Sequence, residues 1–387
     1  MAPAFSSIKQ AAAFALLLLV LLLQPVIVRG PLLPKRGEMF AAASWLPGPF
    51  PYVHDQIFEE KGDIDIAFMG SSLSWWGIDT PYVQEQMSRI LGRPAVVRSI
   101  CVSWAGFDSV YFVARELLRH RKVKMIVFSD SLIPDSTDFA HRSTAKWFLW
   151  AEDAPVIADL SPREKASFYA AAVVGMPRNL LNHLRSNLPV IPSDHITFFP
   201  GLPPAINPAL RLGSLAVDEQ PTSQTWYADS ASRWSQLGKA VADQPPASGS
   251  RQEMPGSQPR VYEYSEQTKD NFHIVGAPMP PMQAAFCRKI GSLAGDYGVK
   301  LAYLHMTGVI EWKSHKIRLS EFWPDVFGTK VTMIGVPGAE LLAGISETTL
   351  TNKIYYDSVH FTKDGQKLFA TVVTPKLAQV YETQTKP

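Results

Sequence analysis

An α/β fold is the class this sequence predicts: a parallel sheet buried between two layers of helices. Three observations carry it. Runs of continuous apolar residues recur along the chain, as in Met125-Ile126-Val127-Phe128, and a strand apolar on both sides is buried on both sides. Segments with helical periodicity alternate with these runs, the pattern of βαβ units. Helix start and stop residues fall between them, such as Thr80-Pro81 before one helix and Gly92 after it.

Taken in order, the first element is apolar from Ala11 to Val28 apart from Gln24 and Pro25, with a leucine-rich centre at Leu17 to Leu23. Residues 1–30 read as an uncleaved signal anchor, a membrane helix at the lower limit for spanning a core of ~30 Å. No small-x-small cleavage site follows it. A lone N-terminal anchor serves as an export signal, so the body is expected outside the cytoplasm. Residues 31–60, rich in Pro, Gly and aromatics, read as a stalk.

The α/β body is expected over 61–387. Its first strand is 63–69. A helix follows from Thr80 to Gly92, with Val83, Met87, Ile90 and Leu91 on one face. Ala95 to Ile100 is the second strand. Asp108 or Ser109 is placed to cap a helix running through Leu118, and Val123 to Ser129 is the third strand. Ser161-Pro162-Arg163-Glu164 is a capping box. From 188 to 258 Pro, Ser and Gln crowd the chain and periodicity is poor, so this stretch reads as an irregular insertion. The alternation returns with a helix from Met282 to Leu293, strands at Lys300–Leu304 and Val331–Ile334, and a helix opening at Gly338. The result is a three-layer αβα body with about five parallel strands, of flavodoxin-like type.

Composition narrows the function classes. A net charge of +2 with no Lys/Arg-rich run excludes a nucleic-acid partner. Cys101 and Cys287 are the only cysteines, too few for a disulfide framework. No Cys/His cluster has zinc spacing, so neither a metal nor another cofactor is expected.

Two short motifs carry the chemistry. Gly70-Ser71-Ser72-Leu73-Ser74 follows the first strand, and Asp357-Ser358-Val359-His360 precedes the last helix. Serine needs a base within hydrogen-bond reach to act as a nucleophile. His360 is the candidate base, and Asp357, three residues earlier, the candidate orienter of its imidazole. In open parallel sheets ligands bind at the carboxyl ends of the strands, and Ser72 lies at the end of the first. Trp75 and Trp76 follow it; either ring could stack on a sugar or sit in the core.

The order and context of these motifs resemble the SGNH (GDSL-type) hydrolase superfamily. Its nucleophile lies in a Gly-Asp-Ser-Leu block, matched here by Gly70-Ser71-Ser72-Leu73 with Ser71 in place of Asp, and its Asp-x-x-His block ends the domain. The resemblance implies an acyl-enzyme on Ser72 and an oxyanion held by the backbone N–H groups of Ser72 and Gly106. The third block normally supplies an Asn. This chain has Ser129-Asp130-Ser131, so Ser131 is the remaining donor there. Arg142, on the same loop, is a candidate for binding an anionic group. The implied function is a serine esterase or O-acyltransferase at the membrane, acting on an acyl ester or acylated cell-envelope glycan. The alternative is a non-catalytic accessory subunit of that fold, binding a glycan or a membrane acyltransferase.

Overall fold

The computed structural model describes residues 5–27, 53–101, 106–129, 140, 148, 150–171, 258–274, 279–319, 325–355 and 360–385. The chain is α/β, built on a mostly parallel sheet of six strands. Of the insertion read at 188–258, all but the last residue lies outside the described residues.

Helix α1 (Ile8–Ile27) is the predicted N-terminal element. It does not meet the expectation of a membrane span: among the described residues no helix is long and apolar enough to cross a membrane. The physical reason lies in the sequence. The uninterrupted apolar run, Ala11 to Leu23, is ended by Gln24 and Pro25, and at 1.5 Å per residue it covers only ~20 Å. Residues 53–60, within the segment read as a stalk, belong to the body, because Val53 and Ile57 are buried in its core.

Strand β1 (Ile64–Gly70) is buried along its whole length. It leads into α2 (Ser72–Gly77) and α3 (Thr80–Leu91). Helix α3 opens at Thr80 as read and is capped by Asp79, its side chain accepting from the Tyr82 N–H at 3.1 Å. Gly92 ends that helix at φ 63°, a left-handed conformation that costs glycine little. Strand β2 (Val97–Cys101) is followed by α4 (Phe107–His120). Helix α4 is buried on every side from Phe107 to Leu118. Its one buried cation, Arg115, is matched by Asp153 at 2.7 Å, as burial of a charge requires. Strand β3 (Val123–Ser129) and helix α5 (162–171) come next. The capping box of α5 forms as read: Ser161 N–H donates to Glu164, and Glu164 N–H to Ser161 Oγ.

Past the insertion lie β4 (Tyr262–Glu263), β5 (Phe272–Ile274), α6 (Pro281–Tyr297), β6 (Lys300–Leu304), β7 (Ile317–Leu319), β8 (Val331–Gly335) and α7 (Lys363–Thr385). The sheet order is β2-β1-β3-β6-β8-β4. The first five strands are parallel and are the five read from sequence. Strand β4 adds an antiparallel edge, and β5 and β7 form a separate parallel pair.

Successive side chains of each strand face opposite layers. Ala67, Met69, Ile126 and Phe128 meet α4 and α6, whereas Ile66, Phe68, Met125 and Val127 meet α3 and α7. Each layer of helices thus closes its own core. The amino end of the sheet is fastened by Asp65. Its carboxylate accepts from both Nη atoms of Arg93 (3.0 and 2.8 Å), from Lys124 Nζ (3.0 Å), from the Tyr381 hydroxyl (2.7 Å) and from Val96 N–H (2.9 Å). One carboxylate joins β1, β3, the start of β2 and the end of α7.

Candidate functional site

The chain leaves β1 for β2 on one side and places β3 on the other. That reversal falls at the carboxyl ends of β1 and β3, the usual ligand position in such sheets. Gly70 ends β1 there, in register with Cys101 of β2. A Cβ on Gly70 would collide with Ser74 Oγ and reach 2.7 Å from Ser129 Oγ, so glycine leaves room for those two hydroxyls. Ser71 is buried and caps α2, accepting from Leu73 N–H at 3.3 Å. The position where the SGNH block has Asp is therefore a helix cap here.

Ser72 is the first residue of α2, so its backbone stands at the end of β1. Its hydroxyl is outside the described atoms. Trp75, a turn further along, is half-buried and packs against the core shared by α4 and α6. Below the turn lies a buried polar cluster that sequence reading missed. Ser74 and Ser129 share a hydrogen bond between their hydroxyls. The Cys101 thiol donates to Phe68 C=O at 3.5 Å, and Thr80 donates to Ser99 Oγ at 3.2 Å. Burial pushes the Cys101 thiol up to about 12, and hydrogen bonds with Ser74 and Ser99 offset only part of this. Cys101 is a buried structural thiol, as read, and holds the ends of β1 and β2 together.

Gly106 precedes α4 as its N-cap. The helix begins earlier than read: Asp108 and Ser109 lie inside its first turn, both buried. Gln283 of α6 meets this turn, accepting from Phe107 N–H at 2.7 Å and donating to Asp108 Oδ1 at 3.2 Å.

His360 is buried, directly before an antiparallel bridge between Phe361 and Tyr355. The two rings of that bridge lie 4.6 Å apart, and Phe361 also meets Phe369 of α7 at 5.4 Å. A Cβ placed on Gly77, the last residue of α2, would lie 3.9 Å from the Phe361 ring. The segment holding His360 is therefore packed beside the helix that Ser72 opens. Asp357, Ser131 and Arg142 lie outside the described residues.

A second histidine stands near this end of the sheet. His305 follows β6 and shares its Nε2 with Glu311 at 2.9 Å. Glu311 also accepts from Gly308 and Arg318 N–H, each at 3.0 Å. This loop reaches the His360 segment through Tyr355, whose hydroxyl donates to Thr307 C=O at 2.6 Å. The Nε2 of His305 is thus tied to the loop after β6 through Glu311. Among the described residues no group of His, Cys, Asp and Glu is placed to hold a metal ion. No protein-family model matches the chain, and no curated protein matches it.

Proposed function

We propose that this protein is a serine acyl-transfer enzyme of SGNH type. Ser72 would be the nucleophile, His360 the base and Asp357 its orienter. One observation carries the reading: Ser72 opens a helix at the carboxyl end of β1, beside the strand-order reversal, and the His360 segment packs against that same helix. The reading is supported by the segment that carries His360 lying beside the helix that Ser72 opens, on the side of the sheet where such folds bind ligands.

In this reading the Ser72 hydroxyl gives its proton to the His360 imidazole as its oxygen bonds to the acyl carbonyl carbon. The carbonyl π electrons move to oxygen, and the N–H groups of Ser72 and Gly106 hold that oxyanion. Collapse breaks the bond to the leaving alkoxide, which takes the proton from His360. The acyl-Ser72 ester is then attacked by a second hydroxyl through the same steps in reverse. Water as acceptor makes an esterase, and a sugar hydroxyl makes an O-acyltransferase. The proposed substrate is an acyl ester on a cell-envelope glycan. The proposed location is outside the cytoplasm, with the exposed leucines of α1 as the membrane-associating element.

One sequence feature favours the accessory alternative: Ser129-Asp130-Ser131 offers no Asn to the oxyanion. The full chain in detergent, treated with a fluorophosphonate, separates the two readings. Labelling of the wild type at Ser72, lost in Ser72→Ala, is expected of the enzyme. Full envelope-glycan acylation in cells carrying Ser72→Ala at matched protein level would end the catalytic reading.

A further inference from the structure

We propose that Gln283 is a positioning residue for the oxyanion site, capping α4 from a neighbouring helix and fixing the Gly106 N–H. The inference rests on the reading of Ser72 as the acylated residue. Helices are normally capped by a Ser, Thr, Asp or Asn at the N-cap, whose side chain accepts a first-turn N–H. Gly106 occupies that position in α4 and makes no side-chain cap. The acceptor comes instead from Gln283, 176 residues away and almost wholly buried, at 2.7 Å from Phe107 N.

The glycine and the glutamine require each other. A Cβ at position 106 would stand 2.6 Å from Asp108 Oδ1 and 3.1 and 3.2 Å from the Gln283 amide atoms. A side chain there would displace the Asp108 carboxylate and press on the Gln283 amide. With glycine and a cap from α6, the turn is held while the face of residue 106 carries no side chain. The Gly106 N–H also precedes the helix, so helical hydrogen bonding makes no use of it. A backbone donor held rigidly from behind is what an oxyanion site needs, because its energy comes from preorganisation.

Three variants of the full chain in detergent test this: Gln283→Met, Gln283→Glu, and Leu377→Ala, a destabilising control in the opposite core. Initial rates with p-nitrophenyl acetate, fluorophosphonate labelling rates, and hydrogen exchange at residues 106 and 107 are measured. Gln283→Met should lower kcat and the labelling rate roughly tenfold to a hundredfold, the cost of a displaced donor. Its KM should stay within about twofold, since the donor acts on the transition state, and exchange at 106 and 107 should quicken. Gln283→Glu keeps an acceptor for Phe107 and, with one proton shared between it and the Asp108 carboxylate that Gln283 now donates to, should recover part of the rate. It is the arm that remains if Gln283→Met does not fold. A kcat in these variants equal to wild type, or a loss matched by Leu377→Ala, overturns the positioning role and leaves the Ser72 reading intact. A wild type inert to both probes overturns the Ser72 reading and the inference with it.

Discussion

Replacing Asp65 with asparagine keeps the side chain's size and removes its charge. In the folded protein the carboxylate is buried and has four partners. Burial pushes its pKa up, but the bonds from Arg93, Tyr381, Val96 and Lys124 outweigh that and hold it well below the usual carboxylate range. Arg93 and Lys124 are themselves 42% and 44% exposed, so they can rehydrate when the charge goes. Their two pairs together are worth about 1 kcal/mol. Tyr381 and Val96 are not so free, and an amide can accept well from only one of them through its single oxygen. Losing a charge-assisted bond there costs about 2 kcal/mol. The sum, about 3 kcal/mol, corresponds to a fall in Tm of roughly 6–12 °C for a body of this size. The assay is thermal unfolding of wild type and Asp65→Asn by circular dichroism across pH. A carboxylate with a depressed folded pKa adds stability above its unfolded pKa and loses it as pH falls towards the folded value. The gap should therefore be full at pH 6–7 and narrow below about pH 4, the ordinary Asp value. A Tm within about 1 °C of wild type at pH 7, or a gap that stays constant into acid, would refute the reasoning.

Three further outcomes are expected. In Gly291→Ala the new methyl would collide with the Phe327 carbonyl oxygen, a backbone atom; stability should fall by about 1–3 kcal/mol, read by urea unfolding, because backbone cannot swing aside. Glu311→Gln leaves His305, Gly308 and Arg318 competing for one oxygen, at a cost of about 1–3 kcal/mol by the same measurement. Burial raises the thiols of both Cys101 and Cys287, so Ellman's reagent at pH 8 should titrate neither in the native protein and both in denaturant; rapid native reaction would count against the packing around β2 and α6.

The strands were legible because burial on both faces leaves an unbroken apolar run, and Val123–Ser129 is found at the ends read for it. Caps were less legible. Asp108 and Ser109 look like N-caps by residue type, yet both lie inside α4: Gly106 is the N-cap, and the Phe107 N–H is bonded by a glutamine 176 residues away. A sequence window has no means of registering such a partner. The same holds for His305 and Glu311, whose pairing depends on how the loop after β6 folds. Strand β4, two residues long, has no periodicity to detect. Ser72 could be placed at the head of α2 because the carboxyl end of a strand is a position in sequence as well as in space. The polar cluster of Ser74, Ser129 and Cys101 could not, since it joins helix α2 to strands β2 and β3, which only the sheet order brings together.

The bond between Tyr381 and Asp65 spans 316 positions of sequence. It gives the body a schedule. On a growing chain β1 is made early, but its carboxylate waits for a hydroxyl that is translated hundreds of residues later, and α7 must arrive before the core it shares with α3 can close. Contacts of such long separation slow folding. A nascent chain halted before α7 would expose the apolar underside of β1 and β3, so chaperone binding to stalled chains should drop sharply once Tyr381 has emerged.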